Sequence, residues 1–241
     1  MIQRNLARFI IVISCSLFFA CKKDRPNGIA PSPAPVEGKT YSANEIIDFK
    51  QMTIRRAGNR IIKWPKNVSF YLVHTAYPHM TKEIDNILAE INQLLDNQLV
   101  LTRTTDWAAA NIQVFLTDRD SYINAEPDTK GSFENTSYTG LAHLKWTDGV
   151  ISRGSVFVDM SRTSGDTLQQ RYIIHHEIMH ALGFYGHATL AGTYTVLFQY
   201  TLMPYILNYT NFDKRMMLLL YNPAIRANMT ESEFDIAVKE I

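Results

Sequence analysis

The chain has 241 residues, 46% hydrophobic and 20% charged, a balance that suits one globular domain with a substantial core and excludes a disordered or fibrous chain. Its 24 Lys and Arg stand against 23 Asp and Glu, dispersed without a basic run or a glycine-rich phosphate loop, so nucleic-acid and nucleotide binding are not expected. Both cysteines, Cys15 and Cys21, fall within the first 21 residues, which excludes a disulfide scaffold and a cysteine-ligated metal in the rest of the chain.

Arg4 and Arg8 precede an apolar run from Phe9 to Phe19, the layout of a secretory signal and too short for a stable membrane span. Leu17-Phe18-Phe19-Ala20-Cys21 resembles the lipobox of bacterial lipoproteins, in which cleavage precedes a cysteine that is then acylated. Lys22-Lys23-Asp24 resembles the start of mature lipoproteins in some Gram-negative bacteria. The resemblance implies an exported protein, lipid-anchored to the outer membrane through Cys21, with residues 1–21 as signal. Pro26, Pro31, Pro33 and Pro35 make residues 22–40 an extended tether with nothing to bury, which leaves 41–241 as the folded domain.

Ser42 to Lys50 reads as a short helix, with Ser42 as N-cap and Ile46, Ile47 and Phe49 as its apolar side. Arg60 to Val73 is strand-like around a break at Pro65, through Ile62, Trp64, Val68, Phe70 and Leu72. Thr81 to Leu99 is the clearest helix of the first half, because Ile84, Ile87, Leu88, Ile91, Leu94 and Leu95 form one stripe. Asn111 to Thr117 reads as a strand buried through Ile112, Val114 and Leu116. Gly140 to Leu144 and Gly154 to Met160 read as two strands joined across Trp146-Thr147-Asp148-Gly149. A polar loop, Ser161 to Thr167, leads to a helix from Arg171 to Leu182 that Gly183 ends. A polar and aromatic connection (Thr189 to Tyr209), a helix from Asp213 to Tyr221 and a short helix opening at Thr230-x-x-Glu233 complete the chain.

The chemistry concentrates at His176-Glu177-Ile178-Met179-His180-Ala181-Leu182-Gly183, which reads H-E-x-x-H-x-x-G. On a helix, residues four apart lie about 40° apart, so His176 and His180 face one point and can hold one metal ion. Glu177 beside them is the carboxylate that takes a proton from an activated water and later returns it. A catalytic zinc needs three protein ligands and an open position. His187 is the one histidine downstream and the preferred third ligand; Asp213, Glu231 and Glu233 are the alternatives, with Asp213 equally suited to cap its helix. His175 points about 100° away from His176 and is expected to pack or make a supporting bond. His74 and His79 flank a loop-like Tyr77-Pro78 and lack ligand spacing, and His143 is a lone histidine on the strand Gly140 to Leu144.

His176 to Gly183, with the later Thr201-Leu202-Met203-Pro204-Tyr205, resembles the metzincin zinc proteases, whose signature is H-E-x-x-H-x-x-G-x-x-H followed by a methionine-containing turn. Here the eleventh position is Gly186 and the histidine is twelfth, so the turn is one residue longer. The stretch from the motif to Leu219-Leu220-Tyr221-Asn222-Pro223 also looks like that of poorly characterised exported bacterial proteins described as metalloproteases. The resemblance implies an α+β, zincin-like domain: a mixed twisted sheet, a long backing helix, an active-site helix and a small C-terminal helical subdomain. It further implies a zinc endopeptidase, with Glu177 catalytic, Zn2+ on His176, His180 and His187, Met203 as packing support and Tyr205 at the zinc or the developing oxyanion. The substrate would be a peptide or protein added as a strand along Gly140 to Leu144. The alternative is a non-catalytic zinc-binding or envelope-interaction lipoprotein, which would have no need of Glu177 as a base.

Overall fold

A computed structural model describes residues 40–73, 76–134, 136–190, 193–198 and 205–241. The expected signal and lipidation site at Cys21, nearly all of the expected tether, His74 and the expected methionine turn at Thr201-Leu202-Met203-Pro204 lie outside the described residues. Among those described, no helix is long and apolar enough to cross a membrane.

The architecture is α+β. Five strands, β1 (Val68–Leu72), β2 (Leu101–Arg103), β3 (Ile112–Thr117), β4 (Gly140–Thr147) and β5 (Val150–Asp159), form one mixed sheet of order β2-β1-β3-β5-β4. All adjacent pairs are parallel except the β4–β5 hairpin, which leaves β4 at the edge. Asp148 and Gly149 both have positive φ (49° and 76°), the requirement of the tight two-residue turn that closes such a hairpin. The strands run longer than the alternation suggested, because the pairing continues through a register shift between Lys145 and Trp146.

Of the strand-like stretch Arg60 to Val73, only Val68–Leu72 joins the sheet; before Pro65 the chain makes isolated bridges, Lys63 to Val150 and Arg60 to Thr230. Helix α1 (Ala43–Thr53) opens with a capping box in which Ser42 and Glu45 bond each other's backbone. Helix α2 (Pro78–Leu95) starts three residues before the expected position, with Pro78 in its first turn, and stops four residues early. Asp96 and Asn97 turn left-handed there (φ 39° and 66°), a C-terminal signal that the apolar stripe running on to Leu99 concealed.

Between β3 and β4 lie a short helix α3 (Arg119–Ala125) and a 3-10 helix (Pro127–Phe133), neither of them expected. They cover the sheet face opposite the main core, where Phe115, Tyr122, Phe133 and Phe157 form a second aromatic cluster. Strand β3 is therefore buried on both faces rather than one, Gln113 and Phe115 included.

Helix α4 (Thr167–Ala181) carries the motif and starts earlier than expected, because Asp166 caps it by accepting from the Gln169 N–H. It packs across β4 and β5 and touches α2, so apolar residues occupy nearly its whole circumference. Helices α5 (Asn211–Tyr221) and α6 (Glu231–Ala237) open with capping boxes at Thr210/Asp213 and Thr230/Glu233. They do not form a separate subdomain: Met216, Met217, Leu220 and Phe234 belong to the same core as the sheet and α4, and Phe234 stacks on Phe49 of α1 at 4.8 Å.

Candidate metal centre

The last turn of α4 leaves carbonyls without helical partners, and side chains from elsewhere supply them. The Trp64 indole N–H donates to the Ala181 carbonyl (2.8 Å) and the Tyr221 hydroxyl to that of Leu182 (2.7 Å). Gly183 then turns the chain with φ 112°, and a β-carbon there would sit 2.5 Å from the Ile62 carbonyl oxygen. Glycine serves both needs, conformation and close approach. The turn is fixed at its far end by the Gly186 N–H, which donates to the Met52 carbonyl at the end of α1 (2.8 Å). The longer turn is thus bound to α1 and doubles back, and His187 returns to the helix.

The three imidazoles converge. Nε2 of His180 lies 3.1 Å from that of His176 and 3.3 Å from that of His187, and His187 to His176 is 3.2 Å. Nδ1 of His176 donates to the Val196 carbonyl (2.7 Å), and Nδ1 of His180 to the Phe184 carbonyl. With those protons committed, the Nε2 atoms of both rings carry lone pairs, so these contacts are not hydrogen bonds between the two rings but an assembled set of donors. Burial, then the charge of the neighbouring His187, holds the His176 pKa down to about 4; burial and its two histidine neighbours put His180 well below its ordinary value. Burial and Arg56 lower His187 as well. The triad is therefore neutral at pH 7, the state that ligates.

Three nitrogens around a tetrahedral zinc at 2.0–2.1 Å are separated by about 3.3–3.4 Å. The observed spacing matches that within about 0.3 Å. Among the described residues this is the one group of three His, Cys, Asp or Glu side chains close enough to share an ion. The donor set, three neutral imidazoles and no thiolate, suits zinc.

Glu177 stands beside the triad, 7% exposed. Burial pushes its pKa up to about 8, against the opposing effect of the Ala142 backbone N–H that bonds it. The space it occupies exists because residue 140 is glycine: a β-carbon on Gly140 would lie 2.5 Å from Glu177 Oε1 and 2.5 Å from Ile173 Cγ2. Two cavities, of about 290 and 480 Å³, flank this point along β4, both lined by Tyr138, Gly140, His176, Glu177 and His187. Leu141, Leu144 and Tyr185 extend one of them; Tyr172, Ile173 and Phe198 extend the other.

The alternative third ligands are engaged elsewhere. Asp213 is fully buried in the cap of α5, Glu231 pairs with Arg55 and Lys50, and Glu233 caps α6. His175 turns away from the triad to Glu83 of α2, at 2.9 Å, and its ring packs against Tyr209. His79 bonds Gln170 (2.8 Å), and His143 of β4 lines neither cavity. Tyr205 stacks on Tyr172 (5.4 Å), whose ring lies 5.8 Å from that of His176, and it lines neither cavity. Residues the sequence did not single out are Gly140, Tyr138 and Tyr185, together with the carbonyls of Phe184 and Val196; backbone carbonyls and a glycine carry no spacing signature.

Among curated proteins, none matches this chain. Residues 45–240, nearly the whole folded domain with its triad, match the family model described as "Protein of unknown function (DUF2927)", and the chain belongs to that family.

Proposed function

We propose that the protein is a zinc-dependent endopeptidase, with His176, His180 and His187 holding the metal and Glu177 as general base. The observation that carries this reading is the convergence of three neutral Nε2 donors within 3.3 Å beside a buried carboxylate, on the wall of an open cleft. Structural zinc sites close the ion with four protein ligands, whereas a site of three that opens on a cleft leaves a place for reaction. The H-E-x-x-H helix beneath an antiparallel edge strand of a mixed sheet further supports a zincin-like, metzincin-type assignment.

A zinc ion held by the triad would supply the positive charge that makes water acidic near neutral pH and polarises a scissile carbonyl. Burial favours the protonated form of Glu177 in the metal-free protein; the positive charge of a bound ion would favour its ionised form, which could then take the proton of the attacking water and return it to the leaving amine. Its position is set by the Ala142 N–H and by the space above Gly140. Strand β4 pairs only with β5 in the sheet, so its outer edge faces the cleft as a template for an extended peptide. Tyr138 and Tyr185, both exposed, border that groove and offer aromatic contact to side chains of the bound strand. Tyr205, stacked on Tyr172 beside His176, is a candidate for stabilising the developing oxyanion, and an unchanged rate in Tyr205→Phe would remove it.

The full chain, stripped by chelator and reloaded with zinc, is expected to cleave members of a broad peptide library only when loaded. Glu177→Gln should retain one zinc and lose about 10²–10⁴-fold in rate. A zinc-loaded wild type inert to the whole library would favour the non-catalytic zinc-binding or envelope-interaction lipoprotein instead. Undiminished zinc affinity in His187→Ala would remove that residue from the site. An envelope location anchored through Cys21 belongs to the same proposal, and loss of labelled palmitate incorporation in Cys21→Ala tests it.

A further inference from the structure

We infer that Asp213 is a positioning residue for the triad, acting through the backbone of residues 195–197 on His176 and His187. The inference rests on the metal reading of the triad for two of its three readouts, but not on hydrolysis.

Asp213 is 0% exposed, and its carboxylate accepts from both the helix cap and a distant loop. Toward the cap, Oδ2 accepts from the Thr210 N–H and hydroxyl, each at 2.8 Å. Capping needs no more than that. The same carboxylate also accepts from the Val196 N–H (3.3 Å) and, through Oδ1, from the Thr195 hydroxyl. The Thr195 oxygen in turn accepts from the Leu197 N–H (3.0 Å). One buried group therefore fixes three consecutive residues that have no helix or strand of their own.

Those residues present their carbonyls to the site. The Val196 carbonyl accepts Nδ1–H of His176 (2.7 Å) and the Tyr172 hydroxyl (3.4 Å). The Leu197 carbonyl accepts the N–H of Ala188 (2.9 Å), the residue next to His187. A histidine ligand is aimed, and its tautomer fixed, by the bond its other nitrogen makes. A carbonyl in an irregular loop is only as well placed as whatever holds that loop. Without the carboxylate, the Thr195 hydroxyl and Val196 N–H would be left buried and unpaired, and the segment would shift to satisfy them. Two of the three imidazoles would lose their reference point.

The test uses the full chain as wild type, Asp213→Ala and Asp213→Asn. Phe133→Ala serves as the control, because it weakens the second aromatic cluster, which is separate from the core around the triad. Zinc affinity is measured by chelator competition, the cobalt-substituted spectrum is recorded, and side-chain ¹⁵N–¹H spectra of the metal-free protein read the His176 tautomer. Asp213→Ala should lower zinc affinity about 10–100-fold, alter the cobalt spectrum and populate the Nε2–H form of His176. Asp213→Asn keeps one oxygen acceptor and should fall between, which also covers an Ala variant that fails to fold. Phe133→Ala should melt lower with affinity unchanged. Wild-type affinity and tautomer in both Asp213 variants would overturn the inference, as would an equal loss in Phe133→Ala. If wild type bound no zinc, the metal reading would fall, and the tautomer measurement would still decide the role of Asp213. If zinc bound but no peptide were cleaved, only the hydrolase reading would fall.

Discussion

Glycine 140 offers the sharpest separation between holding a metal and using it. In Gly140→Ala the new β-carbon would stand 2.5 Å from Glu177 Oε1, 3.0 Å from its Cδ and 2.5 Å from Ile173 Cγ2. Ordinary contacts of these kinds are about 3.4–4.0 Å, so roughly 1 Å must be found. Ile173 and Glu177 lie one turn apart on α4, which packs against the sheet and α2, so the freer of the two side chains is the longer one, that of Glu177. Displacing a catalytic group by about 1 Å costs about 10²-fold, or about 2.7 kcal/mol of transition-state stabilisation. Overpacking costs about 1–3 kcal/mol, and removing a strand glycine returns about 0.5–1, so stability should fall by at most about 2.5 kcal/mol. At 2–4 °C per kcal/mol for a chain of this size, the melting temperature should drop by no more than roughly 10 °C. None of the atoms the β-carbon would meet belongs to an imidazole, so zinc affinity should stay within about twofold of wild type. Peptide cleavage, chelator competition and thermal melting on the same preparation read the three effects separately. Wild-type activity in a folded, zinc-loaded Gly140→Ala would mean that Glu177 does not act from where it is built.

Three further outcomes test the frame around the site. Gly183→Ala combines a φ of 112° with a backbone oxygen 2.5 Å from the new β-carbon, so it should destabilise by about 2 kcal/mol or more and weaken zinc binding by moving the turn to His187; an unchanged urea midpoint would contradict that. Trp64→Phe leaves the buried Ala181 carbonyl without its donor and should cost about 1–3 kcal/mol in urea denaturation, and a cost below about 0.5 would show the helix end is satisfied otherwise. For Glu83, burial raises the carboxyl pKa, but the bonds from His175 and Arg171 outweigh it and hold the group below its ordinary value. A carboxyl depressed on folding contributes stability that is whole above its unfolded pKa and lost as pH falls through the folded one. Glu83→Gln should therefore flatten the acid limb of the stability–pH curve, and a limb as steep as wild type would refute the assignment.

What could be read from the sequence divides along physical lines. Local codes were legible: the stripe of α2, the i, i+4 histidines of α4, and the Ser42 and Thr230 caps each depend on residues within a turn or two of one another. Short elements were not, because three residues of β2 and seven of α3 cannot establish a period. Neither was the role of Gly140, since its need for no side chain arises from a carboxylate on another element. His187 lies between these cases. Its identity as the one histidine downstream was plain, but whether a turn one residue longer than the metzincin pattern reaches the triad depends on the Met52 carbonyl, far away in sequence.

That dependence bears on which function the fold serves. A domain that only held zinc could place its ligands on one helix and a local loop, and would be better off with an apolar residue where Glu177 is buried. Here the turn to His187 is tied to α1, the carbonyl behind His176 is tied to α5 through Asp213, and β4 yields a notch for a carboxylate that burial disfavours. The notch over Gly140, the left-handed Gly183 and the buried Glu177 fall at this one site, and the parts that meet there come from both ends of the folded chain. Such concentrated cost is expected where a site must act rather than merely bind. It also explains why α5 and α6 share the core instead of forming an appendage: α5 supplies Asp213, while Phe234 of α6 stacks on Phe49 of α1, the helix whose end anchors the turn.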